Sequence, residues 1–374
     1  MDRAQALDAR TGAAGLAPLA REHAEQAERD RRLPEPLAGA LRDSGLPRML
    51  VPTRLGGGEV SPREMVEALE ELAVADGSTA WCAMVSATAG YVSAYLEPVV
   101  AAELFGAEAV AAGVHAPIGQ ATQLDEDYLV TGRWPFASFS EHSDLLLGGI
   151  RTKEGPRVAV FDAGDVEIHD TWDVSGLRGT GSNDISVDGL RVPATHTVSL
   201  ATPPAEAGPL YAFPVFGLLA LGIGSVALGI ARAAIDDLRG LAASKQPTGS
   251  RRRLAERPAV QADVARATAA VTAARALVLE TVDRAWTIAC SGAGVPVEER
   301  VRLRLAATHA TRESARAVDL MYGAGGGTSI YSTSPLQRRF RDVHAATQHA
   351  MVAPATWELT GRLLLGLETD AAQL

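Results

Sequence analysis

SPLQRRFRDVHAATQH, residues Ser334 to His349, gathers a helix start, a run of arginines and two histidines into one short element. Ser334 is a good N-cap, Pro335 fits the first helical position where no amide hydrogen is needed, and Gln337 completes an S-x-x-Q capping box, so a helix is predicted to begin here. Ahead of it, Gly323 to Gly327 (GAGGG) ends the preceding helical pattern. Glycine there lets the backbone approach a ligand closely, a phosphate for example; a flexible cap between helices is the alternative reading. On one continuous helix His344 and His349 would lie about 140° apart in projection and could not share a pocket. His349 would share its face with the small Ala345, Ala346 and Ala353, and His344 its side with Phe340, Arg341 and Gln348. A solvent-facing or core-satisfied ring is the alternative for each.

Upstream, the chain changes character twice. Leu16 to about Phe105 is helical in pattern, punctuated at Leu33-Pro34, Gly45-Leu46-Pro47 and Gly56 to Gly58. Ser61-Pro62-Arg63-Glu64 starts one of these helices with a capping box, and Asp76-Gly77-Ser78 ends it before an apolar helix through Trp81 and Tyr95. Between about Ala111 and Leu200, short runs read as strands: Tyr128 to Trp134, Leu145 to Ile150, Val158 to Phe161 and Ile185 to Val192. No helix-length segment intervenes, which favours a compact antiparallel β domain. Long helical patterns return from Tyr211, including Val260 to Ala289 and Val297 to Tyr322.

With 374 residues, 47% hydrophobic and 21% charged, the chain can pack two or three subdomains around a large core. A net charge of -10 argues against nucleic acid or an anionic membrane as partner, since only Arg251 to Arg253 makes a basic patch. That triple arginine also reads as a solvated loop. Cys82 and Cys290 offer neither a disulfide framework nor metal-ligand spacing, which suits a reducing cytoplasm and predicts no metal site. The start MDRAQALDARTG lacks the apolar core of a signal peptide. Phe213 to Ile230 approaches a membrane-span pattern, but Pro, Ser and four Gly interrupt it and no second span exists, so a buried helix is expected. GAGGGTS follows a helix and lacks dinucleotide-fingerprint spacing, so no nicotinamide site is expected.

Gly326 to Asp342, in the pattern GG-x-x-x-x-x-x-x-P-x-Q-R-x-x-RD, resembles the C-terminal signature of acyl-CoA dehydrogenase-fold flavoproteins. LPEPLAGALRDSGLPRMLVPTRLGGG, Leu33 to Gly58, is similar to their N-terminal helical domain, and the helix, sheet, helix order extends the likeness over nearly the whole chain. Dehydrogenases of that family commonly carry a catalytic glutamate eight residues after the Asp of RD, and here that position is Ala350. One residue earlier stands His349, as a histidine does in the oxygenase branch, the two-component flavin monooxygenases such as 4-hydroxyphenylacetate hydroxylase and dibenzothiophene monooxygenase.

The resemblance implies an α+β fold with an N-terminal α-helical domain (1–110), a central antiparallel β-barrel-like domain (111–205) and a C-terminal four-helix bundle (206–374). It implies catalytic roles for His349, as base or as partner to flavin-bound oxygen, for Ser138 beside the flavin N5, and for His115 at the substrate and oxygen pocket. Trp134, Phe136 and Ser138 look like the strand lining the flavin ring, although Phe139 replaces the usual glycine. Trp172, in Trp172 to Ser182, looks like an aromatic wall of the flavin in a W-x-x-x-G-x-R-x-T-x-S stretch. Gly326, Gly327 and Arg251 fall where relatives approach the cofactor's phosphates across a subunit interface. Ser138 satisfying a turn and Trp172 filling a core remain the plain alternatives. The dehydrogenase R-x-x-F-G is absent near Lys245 and Arg251, which favours reduced FMN or FAD delivered by a separate NAD(P)H-dependent flavin reductase. The expected protein is a cytoplasmic homotetrameric monooxygenase that uses reduced flavin and O2 on a small aromatic or polycyclic substrate. An acyl-CoA dehydrogenase with a relocated base and a non-catalytic flavin-binding protein are the other readings.

Overall fold

A computed structural model describes residues 8–106 and 108–374, so residues 1–7 of the polar start lie outside the described residues. Five helices come first: α1 (Ala9–Asp30), α2 (Glu35–Asp43), α3 (Pro62–Ala75), α4 (Gly77–Gly90) and α5 (Pro98–Phe105). Seven strands follow: β1 (Ala111–Leu124), β2 (Asp127–Ala137), β3 (Leu145–Thr152), β4 (Gly155–Asp162), β5 (Glu167–His169), β6 (Asn183–Pro193) and β7 (Thr197–Val198). The chain closes with α6 (Pro209–Ala212), α7 (Val215–Ser244), α8 (Pro258–Cys290), α9 (Val297–Gly325), α10 (Pro335–Ala346) and α11 (Ala355–Leu364).

Local signals account for several boundaries. The Ser61 hydroxyl accepts from the Glu64 amide while the Glu64 carboxylate accepts from the Ser61 amide at 2.8 Å, so the capping box forms. Asp76 ends α3 and caps α4 by accepting from the Thr79 amide at 2.8 Å. At α10 the expected box does not form. Ser334 holds the N-cap position without a side-chain capping bond, because Gln337 reaches to the Ser332 carbonyl and accepts from Arg341 Nε at 2.7 Å instead.

The strands make one sheet in the order β5-β6-β2-β1-β3-β4-β7. β1 runs parallel to β3 while the other pairs are antiparallel, so the sheet is mixed and the purely antiparallel expectation is corrected. β1 escapes a pattern reading because Pro117 and two register shifts break its alternation. Trp134 is also corrected as a cofactor contact. Its ring is 0% exposed, its indole N–H donates to the Gly149 carbonyl at 2.7 Å, and a Cβ on Gly119, Gly132 or Gly148 would strike that ring within 2.7 Å. The residue is a packed centre of the sheet with no face left for a ligand.

α7 is the one helix among the described residues long and apolar enough to cross a membrane, yet 89% of its most apolar stretch is buried inside the chain. Its glycines are contact points. A Cβ on Gly222 would lie 2.5 Å from Met84 of α4, and one on Gly229 would lie 2.3 Å from the Glu70 carbonyl of α3. Glu70, 1% exposed, is held by Arg232 of α7 at 2.9 Å and Arg275 of α8 at 2.7 Å, which neutralises a carboxylate buried between these helices. Residues of all three layers share a continuous apolar core. Gly229→Leu should therefore lower unfolding free energy by roughly 2 kcal/mol or more in urea titrations, since the backbone opposite cannot give way. Gly361→Ala, in open space within α11, should not lower it.

Candidate active site

Trp81, on α4, joins two segments that are far apart in sequence. Its indole N–H donates to Ser138 Oγ at 3.2 Å, and its ring meets His349 edge to face at a centroid distance of 5.8 Å. Sequence reasoning missed Trp81, since nothing in its helix marks it apart from other apolar positions.

Ser138 stands in a turn of unusual backbone. Phe136 and Phe139 have φ of 70° and 64°, in the region that disfavours side chains and that glycine enters freely. The turn survives because Phe139 is buried against His142 and its amide donates to the Thr180 carbonyl at 2.9 Å. Phe136 is 67% exposed and makes an edge contact with Trp172 at 6.2 Å, giving a partly open aromatic rim next to buried Ser138. Ser138 Oγ lies 2.6 Å from Ser182 Oγ, which lies 2.6 Å from Thr180 Oγ1. Both partners fall in the T-x-S of the Trp172 stretch, a signal present in the sequence without an assigned role. An exposed planar aromatic rim beside a buried hydroxyl fits a flavin ring.

α10 ends at Ala346, and His349 follows in a turn, so the helical projection is corrected for that residue. Its Nδ1 accepts from the Met351 amide at 3.2 Å, which puts the hydrogen of the neutral ring on Nε2. Burial, with Arg304 and His115 nearby, holds its pKa down to about 4, so His349 is neutral at pH 7 and presents an N–H donor. His115, on β1, has its Nε2 buried with no hydrogen-bond partner among the described residues, and burial lowers its pKa to about 4. It borders a small apolar crevice lined by Thr88, Leu200, Val215, Phe216 and Leu219. Arg304, on α9, is 3% exposed, donates to the Gln373 carbonyl, leaves its Nε unpartnered, and has no carboxylate partner among the described residues. Sequence reasoning missed it too. His344 faces outward, 2.8 Å from Asp319.

Arg251, Gly326 and Gly327 do not join this cluster. Gly326 and Gly327 are exposed just before α10, while His349 follows its end, about 18 Å away along a helix rising 1.5 Å per residue, and Arg251 is exposed between α7 and α8. Lys245 Nζ donates to the Gly325 carbonyl at 2.6 Å and so brings its loop to the GAGGG turn. Gly326 has φ 57° with nothing near its missing Cβ, leaving backbone open to a ligand. A cleft of about 690 Å³ is lined by Arg32, Leu33, Glu141 and His142, where Arg32 pairs with Glu141 at 3.0 Å and His142 with the Leu33 carbonyl at 3.0 Å. Arg32, Glu141 and His142 thus already have partners within the chain.

Comparison with known proteins gives the family and the class of this chain. Residues 12–100 match the acyl-CoA dehydrogenase N-terminal domain and residues 221–354 its C-terminal domain. An indole-3-acetate monooxygenase of Pseudomonas putida is 35% identical over 91% of this chain and 89% of its own. The oxygenase component of an FADH(2)-dependent resorcinol hydroxylase from Rhizobium sp. is 30% identical over 95% and 93%. XiaF from Streptomyces sp., solved with FADH2 and glycerol, superposes with a TM-score of 0.89 at 25% identity over 96% of this chain and 95% of that one. The chain belongs to the acyl-CoA dehydrogenase family and, within it, to the oxygenase components of flavin-dependent monooxygenases, enzymes that work with reduced flavin.

The buried histidines set an acid limit. Unfolded, each binds a proton below about pH 6.5; folded, each stays neutral to about pH 4. The unfolded state thus binds more protons in this window, and stability falls as pH drops through it. Urea midpoints should fall across that range, and His115→Asn or His349→Asn should each flatten the slope.

Proposed function

We propose that this chain oxygenates a small aromatic molecule bearing an anionic group, with reduced FMN or FAD supplied by a separate NAD(P)H-dependent flavin reductase. The observation that carries the reading is the meeting of Ser138 from the sheet with His349 from the C-terminal helices across Trp81. Bound reduced flavin supplies the two electrons with which O2 is activated for transfer of one oxygen atom. Phe136 and Trp172 would flank its ring, Ser138 would meet N5, and Gly326, Gly327 and Arg251 would serve its phosphate end. His349 holds a proton on Nε2 and donates it as a hydrogen bond to oxygen at the reacting position. His115, whose Nε2 has no protein partner, takes the substrate's hydrogen bond.

Arg304 points to the anionic group. A buried guanidinium without a carboxylate is costly unless something else brings the charge. Arg48 shows the contrast, for it is equally buried but donates to three backbone carbonyls. An arylacetate supplies what Arg304 lacks, in keeping with the Pseudomonas putida relative named for indole-3-acetate. The separation of the phosphate-end residues from the ring site suits a homotetramer in the cytoplasm whose subunits share each flavin. Exposed Ile330 and Tyr331, next to the GAGGG turn, would be covered in that assembly.

Stopped-flow mixing of the protein and reduced flavin with O2 should delay the return of oxidised flavin relative to free flavin, and Ser138→Ala or His349→Ala should shorten the delay. Reoxidation as fast as in free solution for both FMN and FAD overturns the proposal. Arg304→Met should raise KM for indole-3-acetate about tenfold or more while leaving that for uncharged indole within about twofold, as expected for loss of a charged hydrogen bond.

A further inference from the structure

The hydroxyls behind Ser138 form a chain whose direction is fixed by counting protons. Thr180 Oγ1 lies 2.8 Å from the Leu177 carbonyl oxygen, which can only accept, so Thr180 donates there. Its single proton is then committed. In the 2.6 Å contact between Thr180 and Ser182, Ser182 must therefore be the donor. By the same count Ser138 donates to Ser182 across their 2.6 Å contact. Trp81 Nε1 has only a proton to give and gives it to Ser138 at 3.2 Å. Ser138 thus receives one hydrogen bond and makes one, and it keeps a single lone pair for anything beyond the chain. Ser138, Ser182 and Thr180 are each 3% exposed or less, so bulk water does not compete for these protons.

We propose that Thr180 and Ser182 are positioning residues that make Ser138 a dedicated acceptor, and that the site thereby selects reduced over oxidised flavin. This rests on the reading above that Ser138 meets the flavin N5. In reduced flavin N5 carries a hydrogen and can donate to the free lone pair. In oxidised flavin N5 is itself an acceptor, so two lone pairs face each other unless the whole hydroxyl chain reverses, which leaves Thr180 Oγ1 and the Leu177 carbonyl oxygen 2.8 Å apart with no proton between them. A buried mismatch of this kind costs roughly ten- to hundredfold in affinity. Such selection suits an enzyme that takes reduced flavin from a mixed pool and must release it once oxidised.

The test is equilibrium binding, without turnover. Dissociation constants for oxidised FMN and FAD, and for the reduced forms under anaerobic conditions, are measured on the full-length protein and on Thr180→Val, Thr180→Ser, Ser182→Ala and Ser138→Ala. Thr180→Val removes the terminal donor, so Ser182 can turn its proton to Ser138 and Ser138 can donate outward. Oxidised flavin should then bind about tenfold tighter with little change for reduced flavin, and Thr180→Ser should restore the wild-type ratio. Ser182→Ala frees the Ser138 proton by a different route and should act in the same direction, which guards against a folding defect in either variant. If Ser138→Ala changes the ratio but neither Thr180→Val nor Ser182→Ala does, the directional chain is not the selector and the proposal falls. If Ser138→Ala leaves both constants unchanged, Ser138 does not meet the flavin, and the reading beneath the proposal falls with it.

Discussion

The tie between the end of α10 and the loop at Ser175 to Leu177 is the constraint on which the rest of this site depends. Asp342 Oδ1 accepts from the Leu177 amide at 2.7 Å, and Arg341 donates to the Ser175 carbonyl at 2.6 Å and pairs with Glu28 of α1. Gly176 permits this approach, because a Cβ there would lie 2.1 Å from the Arg341 carbonyl. Burial pushes the Asp342 carboxyl up to about 6, as expected for a group withdrawn from water with few compensating partners. Helices from both ends of the chain and a sheet loop are thus held at one point. Leu177, held with φ 52°, presents its carbonyl to the Trp172 indole at 3.2 Å and to the Thr180 hydroxyl at 2.8 Å. The aromatic rim and the hydroxyl chain both start from that oxygen.

A division of labour follows from the layers. The sheet side contributes Phe136 and Ser138 on a strained turn, where hydrogen bonds hold an unfavourable backbone in place, and Trp172 from the loop between β5 and β6. The helical side contributes His349 and Arg304, both in low-polarity surroundings that keep the imidazole neutral and leave a guanidinium short of partners. Trp81 is the common wall, polar towards one side and aromatic towards the other. The arrangement places hydrogen-bond donors on the helical side and a lone pair on the sheet side, a useful asymmetry where electrons and oxygen must be delivered in one direction.

Helix order, the positions of β2, β3, β4 and β6, and the capping box at Ser61 were legible because each rests on local spacing that the backbone obeys wherever it lies. The family of the C-terminal signature was legible for the same reason: GG, P and QR-x-x-RD are contiguous. What the signature does was not. Its arginines looked like a charge cluster, yet Arg341 holds the Ser175 loop and Arg339 binds the end of α3 and Asp237. The parallel pairing of β1 with β3 was also hidden, since pairing partners are chosen across the sheet and β1 has no clean alternation. Trp134 and Phe136 stand two residues apart and both looked ligand-facing. One fills the sheet and the other is largely open to solvent, a difference set by the glycines packed beneath Trp134 and the positive φ of Phe136.

By itself the sequence determined the layer order, the helix termini that carry their own caps, the family, and the candidates His349 and Ser138, because these depend on residue type at short spacing. The tertiary structure alone decided which proton each of them holds. His349 is a donor because the Met351 amide occupies Nδ1, and Ser138 is an acceptor because Thr180 and Ser182 direct its hydrogen inward. Hydrogen-bond direction is a property of partners brought together by folding, and no spacing along one chain specifies it.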